Sequence, residues 1–556
     1  MNITKTEIAE IFGVTIESIN EICQDKTSDD LSVSDFEQIL CHYGSDNPED
    51  LLEIGIMLYE SDMEDYAFPL FVRSSELGNA NALYNVGAMY ENGHGVPQDY
   101  SKAFEFYMKA CELGDADAMF KIGLFYDNGI EVEQNDSKAF EFYMKASEFN
   151  NSDAIFNIGN MYYCGRGTEQ DYSKAFEYFL KASELGDIDA TNNIAYMYES
   201  GKGVAQDYVE ALKYYKKAGE MGNANASFSA GNMLFRGKGF PQNYTEAFNQ
   251  FMRASEQGHV SATFNVGVMY DNGCGVPQDY NKAFEFYMRA SDSNHVKSLF
   301  RIGSMYENGQ GIQTNYLKAI EFYTKACELG DSKAAYNLGF MYYDGKGVQQ
   351  DYTKAFFYIK RSNELGDDSS LLNIGYMYSK GEGVQQDFSK ALEYYQRASD
   401  LGDEVAIYNI GTFYFNGDGI GRNYHKALEM FVDAAKQGYP NAFLQIGRIY
   451  EYGCGVKRNK KKALEFYNYS SKLGVREAEK KIEELRSNCI TDDDDSQQFQ
   501  NLIEDITQDQ IGNCISDVVS NAIDKLIDED GSVIGKAIGD VAGNVISDMI
   551  MSSLKS

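Results

Sequence analysis

Glycine recurs at Gly87, Gly123, Gly159, Gly231, Gly267, Gly303, Gly339, Gly375, Gly411 and Gly447, every 36 residues, interrupted at Ala195. A register held this long describes one short unit copied many times, each copy burying its apolar face against its neighbours. Chain length then sets the number of copies rather than the number of compact domains. A long surface of similar units points to binding more than to catalysis.

Residues 82–114, ALYNVGAMYENGHGVPQDYSKAFEFYMKACELG, show how one unit folds. Ala82, Val86, Met89 and Tyr90 fall at helical spacing, which predicts a first helix from about Ala82 to Glu91 that Asn92-Gly93 stops. The loop from Gly93 to Pro97 leads to Asp99, a good N-cap. Beyond it Ala103, Phe104, Tyr107, Ala110 and Cys111 form the apolar stripe of a second helix closed by Gly114. Glycine inside a helix costs about 1 kcal/mol relative to alanine. The recurrence of Gly87, with Ala103 and Ala110, therefore implies close helix contact.

Ala-x-Tyr-Asn-x-Gly-x-Met-Tyr, the Gly-x-Gly-Val loop, Asp-Tyr-x-Lys-Ala-x-x-x-Tyr and Ala-x-x-Leu-Gly together resemble Sel1-like repeats, relatives of tetratricopeptide repeats. Whole motifs recur, as in GVPQDYSKAFEFYMKA from Gly95 and GVPQDYNKAFEFYMRA from Gly275. The resemblance covers about residues 50–485 and twelve units. In the first unit Gly55 precedes Gly87 by only 32 residues and SDMEDYA from Ser61 lacks the loop glycine, as suits a terminal unit. Local departures are Glu131 at the second loop glycine, Asn150 and Asn294 at the closing glycine, and Ala195. The resemblance implies an all-α fold, a right-handed superhelical solenoid of antiparallel helix pairs whose first helices line a concave groove.

On the first helices runs a polar column of Asn85, Asn157, Asn193, Asn265, Asn337, Asn373 and Asn409, with Lys121, Ser229, Arg301 and Gln445 at the equivalent positions. An amide both donates to and accepts from a peptide backbone, so such a row suits a groove for a partner's extended or helical segment. The same amides could instead tether a loop of their own or a neighbouring unit. Lys121 and Arg301 break the column and are candidates for specificity.

Charge narrows the partner. With 85 acidic and 49 basic residues, the net charge of -36 opposes nucleic acid and anionic membranes and favours basic proteins. Most Asp and Glu read as solvated helix faces. The nine cysteines are mostly solitary, which suits a reducing compartment. MNITKTEIAE lacks a leader pattern and no run of about 18 apolar residues occurs, so a cytoplasmic protein without a membrane span is expected.

Signs of catalysis are few. The Gly-x-Gly loops lack a P-loop Lys-Ser or Lys-Thr and a βαβ context, and the five histidines are scattered, so no cofactor or metal is expected. Some secreted, cysteine-rich members of the resembled family have been associated with β-lactam hydrolysis. They carry paired cysteines in each repeat, which this chain does not, and a hydrolase is disfavoured.

Residues 1–48 form a small helical segment in which Ile8, Ala9, Phe12, Gly13, Val14, Ile19 and Ile22 follow a helix-turn-helix pattern. A transcriptional regulator is thus an alternative reading, but the recognition position from Thr15 to Gln24 carries Glu17 and Glu21 and no basic residue. Cap or docking functions remain open for it. The repeats span residues 49–485, an acidic linker residues 486–500, and an amphipathic helical hairpin residues 501–556. The hairpin is suited to self-association through residues 511–550 or to docking. The expected whole is a non-catalytic scaffold or adaptor that binds protein segments.

Overall fold

The computed structural model describes residues 3–23, 30–43 and 46–489; residues 490–500 of the acidic linker and the whole hairpin of residues 501–556 lie outside the described residues. Among the described residues the elements are 28 α-helices and one 3-10 turn, Asp368–Ser370, with a single isolated bridge between Thr4 and Asp30. The chain divides into two compact units, the first ending at Ala290 and the second beginning at Ser291.

Each helix pair follows from its punctuation. Asn79 accepts from the Ala82 amide at 3.0 Å and starts the helix Ala80–Asn92, which Gly93 ends at φ 76°. This helix begins two residues before the sequence estimate, because the cap is Asn79 rather than the first apolar residue. Asp99 accepts from the Lys102 amide at 3.0 Å and starts Tyr100–Glu112. Twelve such pairs follow one another, from Pro48–Glu60 with Glu64–Glu76 to Pro440–Tyr452 with Lys460–Lys472, and a single helix, Arg476–Cys489, packs on the last.

The recurrent glycine is explained by what crosses it. A Cβ on Gly87 would stand 2.8 Å from the Tyr107 ring, one on Gly123 2.5 Å from Tyr143, and one on Gly267 2.7 Å from Tyr287. The second helix of each pair thus lays its large side chain directly on the first helix. Tyr107, Tyr143, Tyr287 and Tyr323 are fully buried, and so are Ala82, Ala103 and Ala110.

Glu131 occupies a left-handed position, φ 56°, where every other loop except that of the first pair carries glycine. A side chain there costs about 1–2 kcal/mol, partly offset by the lower backbone freedom of a non-glycine residue. Glu131→Gly is therefore expected to stabilise the protein by about 0.5–1 kcal/mol in urea denaturation, less the hydrogen bond from Ser101 Oγ to Glu131 Oε2 at 2.9 Å.

At the start of the chain, Lys5–Phe12, Ile16–Ile22 and Val33–Tyr43 are three short helices, with Gly13 turning between the first two at φ 64°. Ile8, Ile19, Leu31, Phe36 and Ile39 share one core with Tyr66, Leu70 and Phe71 of the first pair. The Tyr66 hydroxyl donates to the Leu31 carbonyl at 2.6 Å. This segment covers the apolar end of the first pair, while Glu17 and Glu21 are exposed.

Candidate functional site: the first-helix polar column

The second-helix side chain that presses on the small residue of each crossing varies together with the residue four positions beyond that small residue. Where the ring is tyrosine, its hydroxyl needs a buried acceptor. Tyr107 donates to Glu91, Tyr143 to Asp127 at 3.1 Å, Tyr215 to Glu199 at 2.7 Å, Tyr287 to Asp271 at 3.0 Å, Tyr323 to Glu307 at 2.9 Å and Tyr467 to Glu451 at 2.6 Å. Tyr395 meets Ser379. Where the second helix carries Phe71, Phe179, Phe251, Ile359 or Phe431, with no hydroxyl, the first helix carries Tyr59, Tyr163, Phe235, Tyr343 or Phe415. The repeats are therefore of two kinds, one with a phenol–acceptor pair and one with an aromatic residue at both or at one of these positions. Sequence reading overlooked this pairing, although it is visible as joint variation of two positions across the units.

The next unit supplies a cation to several of these carboxylates. Lys238 reaches Glu199 at 3.1 Å, Lys346 reaches Glu307 at 3.6 Å and Arg166 reaches Asp127, all from the loop between helices. Ile130 holds that loop position opposite Glu91, and there Lys121 of the polar column takes over, with Nζ 3.0 Å and 3.1 Å from the two oxygens. Lys121 is thus engaged in an internal ion pair, and Arg301 is exposed.

The amides of the column divide likewise. Asn85, Asn157, Asn193, Asn265, Asn337, Asn373 and Asn409 are all half-buried on first helices. Asn373 donates to the Tyr336 hydroxyl at 3.2 Å and Gln445 to the Tyr408 hydroxyl at 3.1 Å, while Asn337 and Ser229 lie near the phenols Tyr323 and Tyr215 and slightly oppose the effect of their burial. Asn373 and Gln445 thus tie adjacent repeats together. Among the described residues, the side chains of Asn85, Asn157, Asn193, Asn265 and Asn409 have no hydrogen-bond partner, which leaves their donors and acceptors to solvent or a ligand.

Burial, with the neighbouring carboxylates, pushes the Tyr107, Tyr143, Tyr215 and Tyr467 phenols far above the ordinary tyrosine range, and burial alone dominates at Tyr395, pushed up to about 12. None of these phenols is poised for acid–base work near neutrality. Among the described residues no cluster of three or more His, Cys, Asp or Glu could hold a metal, and no helix is long and apolar enough to cross a membrane.

Stacked antiparallel helix pairs in constant register, crossing at small residues and carrying a polar row on their first helices, define an all-α repeat solenoid. The Sel1 repeat matches residues 80–115, 116–148, 152–187, 188–223, 224–259, 260–295, 296–331, 332–367, 368–403, 405–439 and 444–475, and the chain belongs to the Sel1 repeat family. Solenoids of this family generally mediate protein–protein interactions. The first helix pair, with its shortened turn, lies outside the matched segments. The chain is similar to c5321, a protective antigen present in uropathogenic Escherichia coli strains that displays an SLR fold, with 28% identity and a TM-score of 0.66 over 83% of this chain and 98% of that one. A Sel1 repeat protein from Oxalobacter formigenes is similar at 25% identity and a TM-score of 0.47, over 56% of this chain and 90% of that one. No curated protein gives a significant match.

Proposed function

We propose that this protein is a non-catalytic scaffold or adaptor whose first-helix polar column binds polypeptide segments of a partner. The observation that carries the reading is the set of half-buried amides at Asn85, Asn157, Asn193, Asn265 and Asn409 without hydrogen-bond partners among the described residues. Each offers a donor and an acceptor, the complement of a peptide backbone. The net charge of -36 favours a basic partner and a low affinity for nucleic acid, and the solitary cysteines favour the cytoplasm. Residues 511–550 are the proposed site of self-association or docking. Exposed Glu17 and Glu21 on Ile16–Ile22 disfavour a DNA-reading regulator.

The two classes of amide give a controlled test in the full chain. Asn157→Ala with Asn193→Ala removes amides without internal partners, and partner capture from native lysate is expected to fall about tenfold with thermal stability unchanged, as for loss of two interfacial hydrogen bonds. Asn373→Ala with Gln445→Ala removes ties between repeats and is expected to cost about 1 kcal/mol of stability at each site. If Asn157→Ala with Asn193→Ala leaves capture unchanged, the column is not the binding surface.

A further inference from the structure

One repeat of the first unit contains a filled aromatic cage. Lys202 Nζ lies 4.9, 5.3 and 5.6 Å from the ring centroids of Tyr163, Tyr172 and Tyr196 and donates to the Tyr163 hydroxyl at 2.7 Å. Ring faces carry negative quadrupole potential, and the Tyr172 and Tyr196 rings together with the Tyr163 hydroxyl make a cation site. The Tyr163 and Tyr172 rings stand 5.1 Å apart at 66°.

Five repeats later, within the second unit, the same cage recurs without its lysine. Tyr343, Tyr352 and Tyr376 hold the equivalent positions, and the Tyr343 and Tyr352 rings stand 5.1 Å apart at 64°. The place of Lys202 is taken by Glu382, whose Oε2 accepts from the Tyr343 hydroxyl at 2.8 Å. The second-helix side chain beneath is Ile359 in place of Phe179, and it fills less of the space. A cavity of about 260 Å³, lined by Phe340, Tyr343, Ile359, Asn373, Tyr376 and Met377, adjoins the cage through Tyr343 and Tyr376, while Tyr352 and Glu382 lie outside its lining. Tyr376, one of the lining residues, is 39% exposed. Lys380 lies 5.9 Å from the Tyr376 centroid, farther than Lys202 lies from any ring of its own cage.

We propose that Tyr343, Tyr352, Tyr376 and Glu382 form a binding site for a lysine side chain presented by a basic partner. The chain itself supplies the precedent, because the earlier cage holds its own ammonium. Replacing that ammonium by a carboxylate reverses the polarity of the site, so that Glu382 would pair with a cation supplied from outside while the rings cover its methylenes. The acidic net charge favours approach of such a partner. The identity of the carrier rests on the scaffold reading above, whereas ammonium recognition stands on the cage alone.

The full chain titrated with Nα-acetyl-lysine methylamide, followed by saturation-transfer NMR, is expected to show saturable binding. The norleucine analogue, which lacks the ammonium, is expected to bind at least tenfold more weakly. Glu382→Lys is expected to fill the cage from within and weaken lysine binding at least tenfold, and Lys202→Glu to open the first cage and raise the stoichiometry from one site to two. Should Glu382→Lys lose helical circular dichroism, Tyr376→Ala, at a partly exposed ring, is expected to give the same loss of binding. Equal binding of the lysine and norleucine probes, or unchanged binding by folded Glu382→Lys and Tyr376→Ala proteins, would overturn the proposal. Asn157→Ala with Asn193→Ala leaves the cage intact, so loss of partner capture there with lysine binding retained separates the two readings.

Discussion

Tyr323→Ala is expected to cost about 3–5 kcal/mol, because it removes a fully buried ring lying against Gly303 and leaves a cavity between paired helices. In a solenoid this appears as early melting of the affected repeat more than as a shift of one global transition. Hydrogen exchange over Val296–Asn308 and Tyr316–Glu328 is the direct measurement. Tyr323→Phe keeps the ring and is expected to cost about 1–2 kcal/mol, since Glu307 loses its 2.9 Å donor while partly buried. The informative variant combines Tyr323→Phe with Glu307→Tyr, which converts a phenol–carboxylate repeat into the kind represented by Phe179 with Tyr163. Lys346 stands where Lys202 stands, and Tyr316 where Tyr172 stands. Most of the stability lost in Tyr323→Phe is therefore expected to return. Simple addition of two losses would show that the two positions are not coupled.

Alkali is expected to unfold the protein cooperatively above about pH 10, the ordinary tyrosine value. Tyr107, Tyr143, Tyr215 and Tyr467 have folded-state values raised by burial first and by their carboxylate partners second. The unfolded chain releases these protons before the folded one does. Stability is thus fully present below about pH 10 and is lost as pH climbs toward the folded values, by about 1.4 kcal/mol per pH unit for each phenol held neutral. Tyrosinate absorbance from these groups should rise in the same step as helical circular dichroism falls. A gradual absorbance rise with the helices intact would show that the phenols ionise inside the fold and would refute the expectation.

The helix pairs were legible because their determinants are local or repeated. Asp99 caps, Gly93 stops, and Gly87 requires a close neighbour whichever residue supplies it. Each signal is copied at fixed spacing, so the period displays it many times over. The fold class and the Sel1 repeats follow from that redundancy. The polar column was legible as a column, but not the different employment of its members, since Asn157 and Asn373 occupy the same repeat position and only the second meets a tyrosine hydroxyl.

What the sequence determined by itself is the unit: two helices, their caps, the small residues at their crossing and the number of copies. Only the tertiary structure decided the partner of each polar side chain. Glu91 and Glu199 belong to a class of residues that reads as solvated helix face, yet they accept from buried phenols and pair with Lys121 and Lys238 of the following repeat. Glu382 differs from Lys202 by a reversal of charge whose meaning appears only when the Tyr343 hydroxyl is brought to one and the Tyr163 hydroxyl to the other. The physical reason is distance along the chain: caps and helix stops act within four residues, whereas these pairings join separate helices and successive repeats, and their geometry exists only once the helices have stacked.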